Sequence, residues 1–155
     1  MHLVQQITPF TCGLACVESL TTDAGKPITQ AELLVKYKCL LQQTIPKIEI
    51  FGSTNPLVLA AILENLGCKV FSGKDHRKDV VREELKKNND ALIFANYELK
   101  AWHCWRFEKV LDDDHISAMN PSFFSPKAQI ETLSFDDLIK WDYSFVIVPR
   151  NTKPN

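Results

Sequence analysis

Hydrophobic periodicity changes character once along this chain, and that change limits the folds open to it. Before about position 70, apolar residues recur every three or four positions, as on one face of a helix. The first such stretch runs from about Cys12 to Thr22, with Thr11 as N-cap and Gly25 just past its end. The second opens on a capping box, Thr29 with Glu32, and places Leu33, Leu34, Tyr37, Leu40 and Leu41 on one face. The third has Asn55 as cap, Pro56 in its first position, Leu59, Ile62, Leu63 and Leu66 as its stripe, and Gly67 as its stop. Between the second and third, "TIPKIEIFGS" has no helical period. A fourth helix, from about Arg77 to Lys87, is amphipathic through Val80, Val81 and Leu85, and its charged residues read as a solvated face.

Beyond position 90 the pattern is that of strands: "ALIFANY" (91–97), "HCWRFEKVL" (103–111), "HISAMN" (115–120) and "SFVIVP" (144–149). The "DDD" at 112–114 is a turn signal, so the second and third of these form an antiparallel hairpin. A short helix begins at 134, with Ser134 as cap and Asp137 three residues on. Helices first and an antiparallel sheet afterwards is an α+β arrangement.

At 155 residues the chain is expected to be one domain, 1–155, around one core. Its 45% hydrophobic and 24% charged residues are those of an ordinary globular protein. A formal net charge of -1 with dispersed Lys and Arg argues against nucleic acid and anionic membrane as partners. Neither a membrane span nor a signal peptide is visible. The five cysteines, at 12, 16, 39, 68 and 104, are an odd number without C-x-x-C spacing, which points to free thiols in a reducing, cytoplasmic setting and to no metal or other cofactor. Oligomeric state is not readable.

A cysteine hydrolase requires a thiolate, a base, a group that orients the base and donors for the oxyanion. Cys12 heads a helix, where unpaired N–H groups and the dipole favour negative charge, and Gly13 beside it would leave room for a substrate backbone. Of the four histidines, His2 lies at the terminus, His76 in a charged loop and His115 just after the turn. Only His103 opens a strand, between Trp102 and Trp105, which are candidate cleft walls. The hairpin returns the far end of the next strand, "MNPS", to the neighbourhood of His103, so Asn120 is the candidate orienter of its ring. A glutamine a short distance upstream of Cys12 is a candidate oxyanion donor alongside the Cys12 N–H. Gln5 and Gln6 both qualify on local grounds. Cys16, Cys39, Cys68 and Cys104 read as core or near-core thiols.

Taken in order, a glutamine six residues before a Cys-Gly at a helix start, a His opening a hairpin, and an Asn followed by Pro at the end of the next strand resemble the C39-type peptidases, within the papain-like cysteine peptidases. The resemblance extends over "LENLGCKV", "ALIFANY" and "LSFDDLIKWDYSFVIV". It implies Gln6 at the oxyanion hole, Cys12 as nucleophile, His103 as base and Asn120 as third member, with a helical lobe packed on an antiparallel sheet and a peptide or protein as substrate. Relatives in bacteriocin exporters usually carry Asp where this chain has Asn120, and small aliphatics where it has Cys104 and Trp105. The same residues can run acyl transfer or glutamine deamidation, and a catalytically silent peptide-docking domain is the alternative from outside the enzymes. In the working enzyme the resting state is expected to be an ion pair, His103 protonated and Cys12 ionised.

Overall fold

A computed structural model describes residues 1–9, 11–43, 56–73, 77–87, 89–97, 101–122 and 124–150. Helix α1, Cys12–Asp23, ends as its sequence directs: the Ala24 N–H bonds back to Leu20, and Gly25 takes a φ of 78°, a conformation that costs glycine little. Thr11 stands at the N-cap position, but its hydroxyl turns back to Thr8. It accepts from the Thr8 N–H at 3.0 Å and donates to the Thr8 carbonyl at 3.2 Å, so no side chain caps the first turn of α1.

Helix α2, Gln30–Lys36, opens with the complete Thr29–Glu32 capping box, a device that contributes about 1 kcal/mol. The single helix expected through Leu41 is instead two, with α3 at Lys38–Gln43. Tyr37 leaves helical geometry at φ -108° and ψ 20°, and its phenol donates to Asn65 Oδ1 at 2.8 Å, at the end of helix α4, Pro56–Asn65. The break lets Leu33 and Leu41 both reach the core. It also corrects the reading of Cys39, which is exposed, because Tyr37 and Leu41 take the inward face of α3. Pro56 opens α4, and Gly67, at φ 87°, lies just past its end. The proposed cap Asn55, the segment 44–53 and His76 lie outside the described residues.

Six strands follow: β1 Phe71–Gly73, β2 Asn89–Tyr97, β3 Ala101–Val110, β4 His115–Asn120, β5 Gln129–Ser134 and β6 Ser144–Pro149. They form one antiparallel sheet in the order β1-β6-β2-β3-β4-β5. The β3–β4 hairpin is closed by Asp112, whose Oδ1 accepts from the N–H groups of Asp114 at 2.7 Å and His115 at 2.8 Å. Strands β1 and β5 were not expected. Both are sheet edges, paired on one side only, and edges of this kind lack the buried apolar run that marks a central strand.

Side chains alternate across the sheet. One face, with Leu92, Phe94, Cys104, Met119 and Val146, packs under α1, α2 and α4. The other, with Ile93, Trp105, Phe107, Ile116 and Ala118, packs under helices α5 (Lys78–Lys86) and α6 (Phe135–Lys140). Helices therefore cover both faces. In α5, Val81 and Leu85 are buried whereas Val80 is exposed. Ser134 caps α6 by accepting from the Asp137 N–H at 3.0 Å. Arg106 is 2% exposed and ties α1 to the sheet through Ser19 and Asp23, both at 2.7 Å, and Asp90 at 3.0 Å. Among the described residues, no helix is long and apolar enough to cross a membrane.

Candidate active site

His103 and Asn120, 17 residues apart in sequence, meet across the mouth of the hairpin: His103 Nε2 lies 2.8 Å from Asn120 Oδ1. An amide oxygen can only accept, so Nε2 carries a hydrogen and donates it. In the neutral ring this leaves the Nδ1 lone pair as the basic site, the arrangement a general base requires. The Asn120 amide is itself oriented. Its Oδ1 also accepts from the Ser122 N–H at 3.0 Å, and its Nδ2 donates to Glu131 Oε2 at 2.9 Å. The second carboxylate oxygen of Glu131 accepts from the Trp105 indole N–H, and the Trp105 ring stands edge-on to the imidazole at 4.4 Å between centroids. Trp105 is fully buried and supports the histidine from below, whereas Trp102 is exposed. Glu131 was missed from sequence because its strand was missed.

Cys12 lies against the same strand one residue further on, where the Cys104 backbone N–H favours its thiolate. By alternation Cys104 points into the core that holds Cys12, and His103 shares the opposite face with Trp105. Among the described residues no hydrogen bond joins Cys12 to His103. Strand β4 pairs with β3 only from Arg106 onward, so the sheet is open beside His103.

The N-terminal segment lies along this edge. The Gln6 N–H donates to the Pro121 carbonyl at 3.0 Å, and Val4 N–H to the Met119 sulfur at 3.3 Å. Gln6 is 4% exposed; its Nε2 donates to the Thr8 carbonyl at 2.7 Å and its Oε1 has no partner. One Nε2 hydrogen is thus engaged locally and the other is free of that bond. Gln5 instead donates to the carbonyls of Ser122 and Ser125. The free space expected beside Gly13 is absent. A Cβ there would fall inside van der Waals contact of Leu59 Cδ1, so the glycine serves the close approach of α1 to α4.

Burial, aided by neighbouring Cys16, pushes the Cys12 thiol up to about 12, against the backbone N–H groups of Cys104, Gly13 and Cys12 itself. Burial also lowers His103 below its ordinary value, opposed by the Asn120 bond and the Glu131 charge. Both shifts favour the neutral forms, a thiol and an imidazole, in groups that share no bond here. Desolvation outweighs the helix N-terminus here because Cys12 is 2% exposed.

Among the described residues, no group of three or more His, Cys, Asp or Glu side chains is placed to hold a metal ion. A cleft of about 610 Å³, lined by Leu20, Asp23, Asp90, Arg106 and Arg150, opens at the other end of α1 and includes none of Cys12, His103 or Asn120.

No protein-family model matches the chain, and no curated protein matches it in sequence. Among solved structures it is similar to the peptidase domain of Streptococcus ComA, a bi-functional ABC transporter involved in a quorum sensing pathway. The TM-score is 0.69 over 95% of this chain and 97% of that one, at 15% identity. The chain has the α+β fold of that peptidase domain.

Proposed function

We propose that this protein is a thiol-dependent peptidase with Cys12 as nucleophile, His103 as base, Asn120 as orienter and Gln6 as oxyanion donor. The His103–Asn120 bond of 2.8 Å carries the reading, because it leaves Nδ1 basic on the residue next to Cys104, whose N–H favours the Cys12 thiolate. Nδ1 of His103 removes the thiol proton as the sulfur attacks a peptide carbonyl, forming the C–S bond. The oxyanion is held by the Cys12 N–H and the free Gln6 amide hydrogen. His103 returns the proton to the departing amine as the C–N bond breaks; water, deprotonated by the same nitrogen, then forms a C–O bond to the acyl carbon, the C–S bond breaks, and the proton passes back to the Cys12 sulfur. An amine in place of water would give acyl transfer, and a glutamine side chain in place of the peptide would give deamidation.

The deep burial and high pKa of Cys12 favour a second reading, a catalytically silent peptide-docking domain. The exposed Cys39 is an internal reference that separates the two. Under a limiting dose of iodoacetamide, with peptide mass mapping, a peptidase is labelled at Cys12 at least as fast as at Cys39, and His103→Ala abolishes the labelling at Cys12 alone. Labelling of Cys39 first, with Cys12 modified only on unfolding, would support the docking domain and overturn the peptidase.

A further inference from the structure

The geometry points to Glu131 as a positioning residue of the catalytic apparatus: its carboxylate fixes the Asn120 amide so that Oδ1 faces His103 and supplies the negative charge that Asn120 lacks.

The inference rests on the peptidase reading and is carried by three hydrogen bonds in series. Glu131 accepts twice, through Oε1 from the Trp105 indole N–H and through Oε2 from Asn120 Nδ2 at 2.9 Å. Because Oε2 can only accept, the amide has one permitted orientation, with Nδ2 toward the carboxylate and Oδ1 toward Nε2 of His103 at 2.8 Å. The Ser122 N–H, donating to Oδ1 at 3.0 Å, favours the same orientation, and Glu131 strengthens it; an amide turned over would present Nδ2 to His103, which forces Nε2 to accept and moves the hydrogen to Nδ1, where it blocks the base. Trp105 locks the other end of the carboxylate, and its ring also walls the imidazole.

The carboxylate also acts through space. Its charge favours the imidazolium that forms when His103 takes the thiol proton, as a directly bonded aspartate would, from one residue further away. Of the titratable groups around the ring, Glu131 approaches from β5, Cys12 comes from α1 to the N–H of the following residue, and Tyr97 of β2 packs on Trp105 at 5.7 Å.

The chain of donors and acceptors predicts its own exchange experiment. In Glu131→Gln the negative charge is lost, and of the two positions that accept from Trp105 and Asn120 one becomes a donating NH2, so one of the two bonds is lost. In the double variant Asn120→Asp with Glu131→Gln every bond returns: Trp105 donates to the Gln oxygen, the Gln amide donates to the new carboxylate, and that carboxylate accepts from His103 Nε2. The full chain would be followed by NMR titration of the His103 ring, assigned with His103→Ala, and by the rate of Cys12 alkylation with iodoacetamide against pH. Glu131→Gln is expected to lower the His103 pKa and to slow alkylation by up to about 100-fold. The double variant is expected to raise the pKa above that of Glu131→Gln and to recover the rate. A His103 titration that is the same in all three proteins would overturn the role of Glu131, whatever the variants do to stability. Wild-type Cys12 that alkylates independently of His103 would instead overturn the peptidase reading, while the titration still reports on Glu131.

Discussion

The side-chain oxygen of Asn120 accepts from Nε2 of His103 across the open mouth of the β3–β4 hairpin, at 2.8 Å. The bond sets the tautomer, so Asn120→Ala should leave His103 in place but release its orientation. Alkylation of Cys12 by iodoacetamide should slow by up to about 100-fold. Asn120→Asp keeps an acceptor for Nε2 but sets a second carboxylate against Glu131, across the 2.9 Å that the Nδ2 hydrogen now bridges, so it should recover the rate only when combined with Glu131→Gln. An unchanged rate in Asn120→Ala removes Asn120 from the site.

The titration of the site should have one limb and not two. His103 acts as a base only when neutral, and its pKa is held below 6.5, so reactivity should rise through a midpoint on the acid side of 6.5. The Cys12 thiol is pushed up to about 12, so no second transition should appear between neutrality and pH 9. Folding follows the same signs. The native state prefers neutral His103, a contribution present above pH 6.5 and lost as pH falls through the lowered pKa; it prefers the protonated Cys12 thiol, a contribution lost as pH rises past 9. A reactivity profile that declines just above neutral pH would instead reveal an ion pair.

Gly13 is predicted to matter for packing. A Cβ added there would collide with the buried Leu59 side chain, so Gly13→Ala should lower stability by about 1–3 kcal/mol in denaturant titrations. Leu59→Ala alone should also destabilise, by about 2–5 kcal/mol. Combined, the two should cost less than their sum, since each relieves the other's misfit. Strict additivity would show that the contact is not what excludes a side chain at position 13.

Arg106 is buried between Asp23 and Asp90, and Arg106→Met leaves both carboxylates without it. A loss of about 3–5 kcal/mol is expected from thermal or urea unfolding. The Arg106 guanidinium holds the Asp23 carboxyl below its ordinary 3.8 despite partial burial. Native Asp23 therefore contributes stability above that pH and loses it as pH falls through the lowered value, and acid unfolding should show this dependence in the wild type and not in Arg106→Met. An Arg106→Met protein as stable as the parent at neutral pH would count against the network.

Much of the fold was legible because its signals are local. The Thr29–Glu32 box, the Pro56 start, the Gly25 and Gly67 stops, the Asp112 turn and the Ser134 cap each act within a few residues, and each appears where its chemistry puts it. The break at Tyr37 was not legible, since it serves a bond to Asn65 at 2.8 Å on another helix. Nor were edge strands β1 and β5, whose pairing on one side leaves little apolar pattern.

The residues themselves determined that this chain would be α+β, with a cysteine heading its first helix and a hairpin long enough to return Asn120 to His103. Order along the chain and strand register are enough for that. Only the tertiary structure decided what surrounds those groups: that Glu131 orients Asn120, that Leu59 occupies the space beside Gly13, and that burial outweighs the helix terminus at Cys12. Desolvation and packing are properties of neighbours brought together from distant parts of the chain, and no local pattern encodes them.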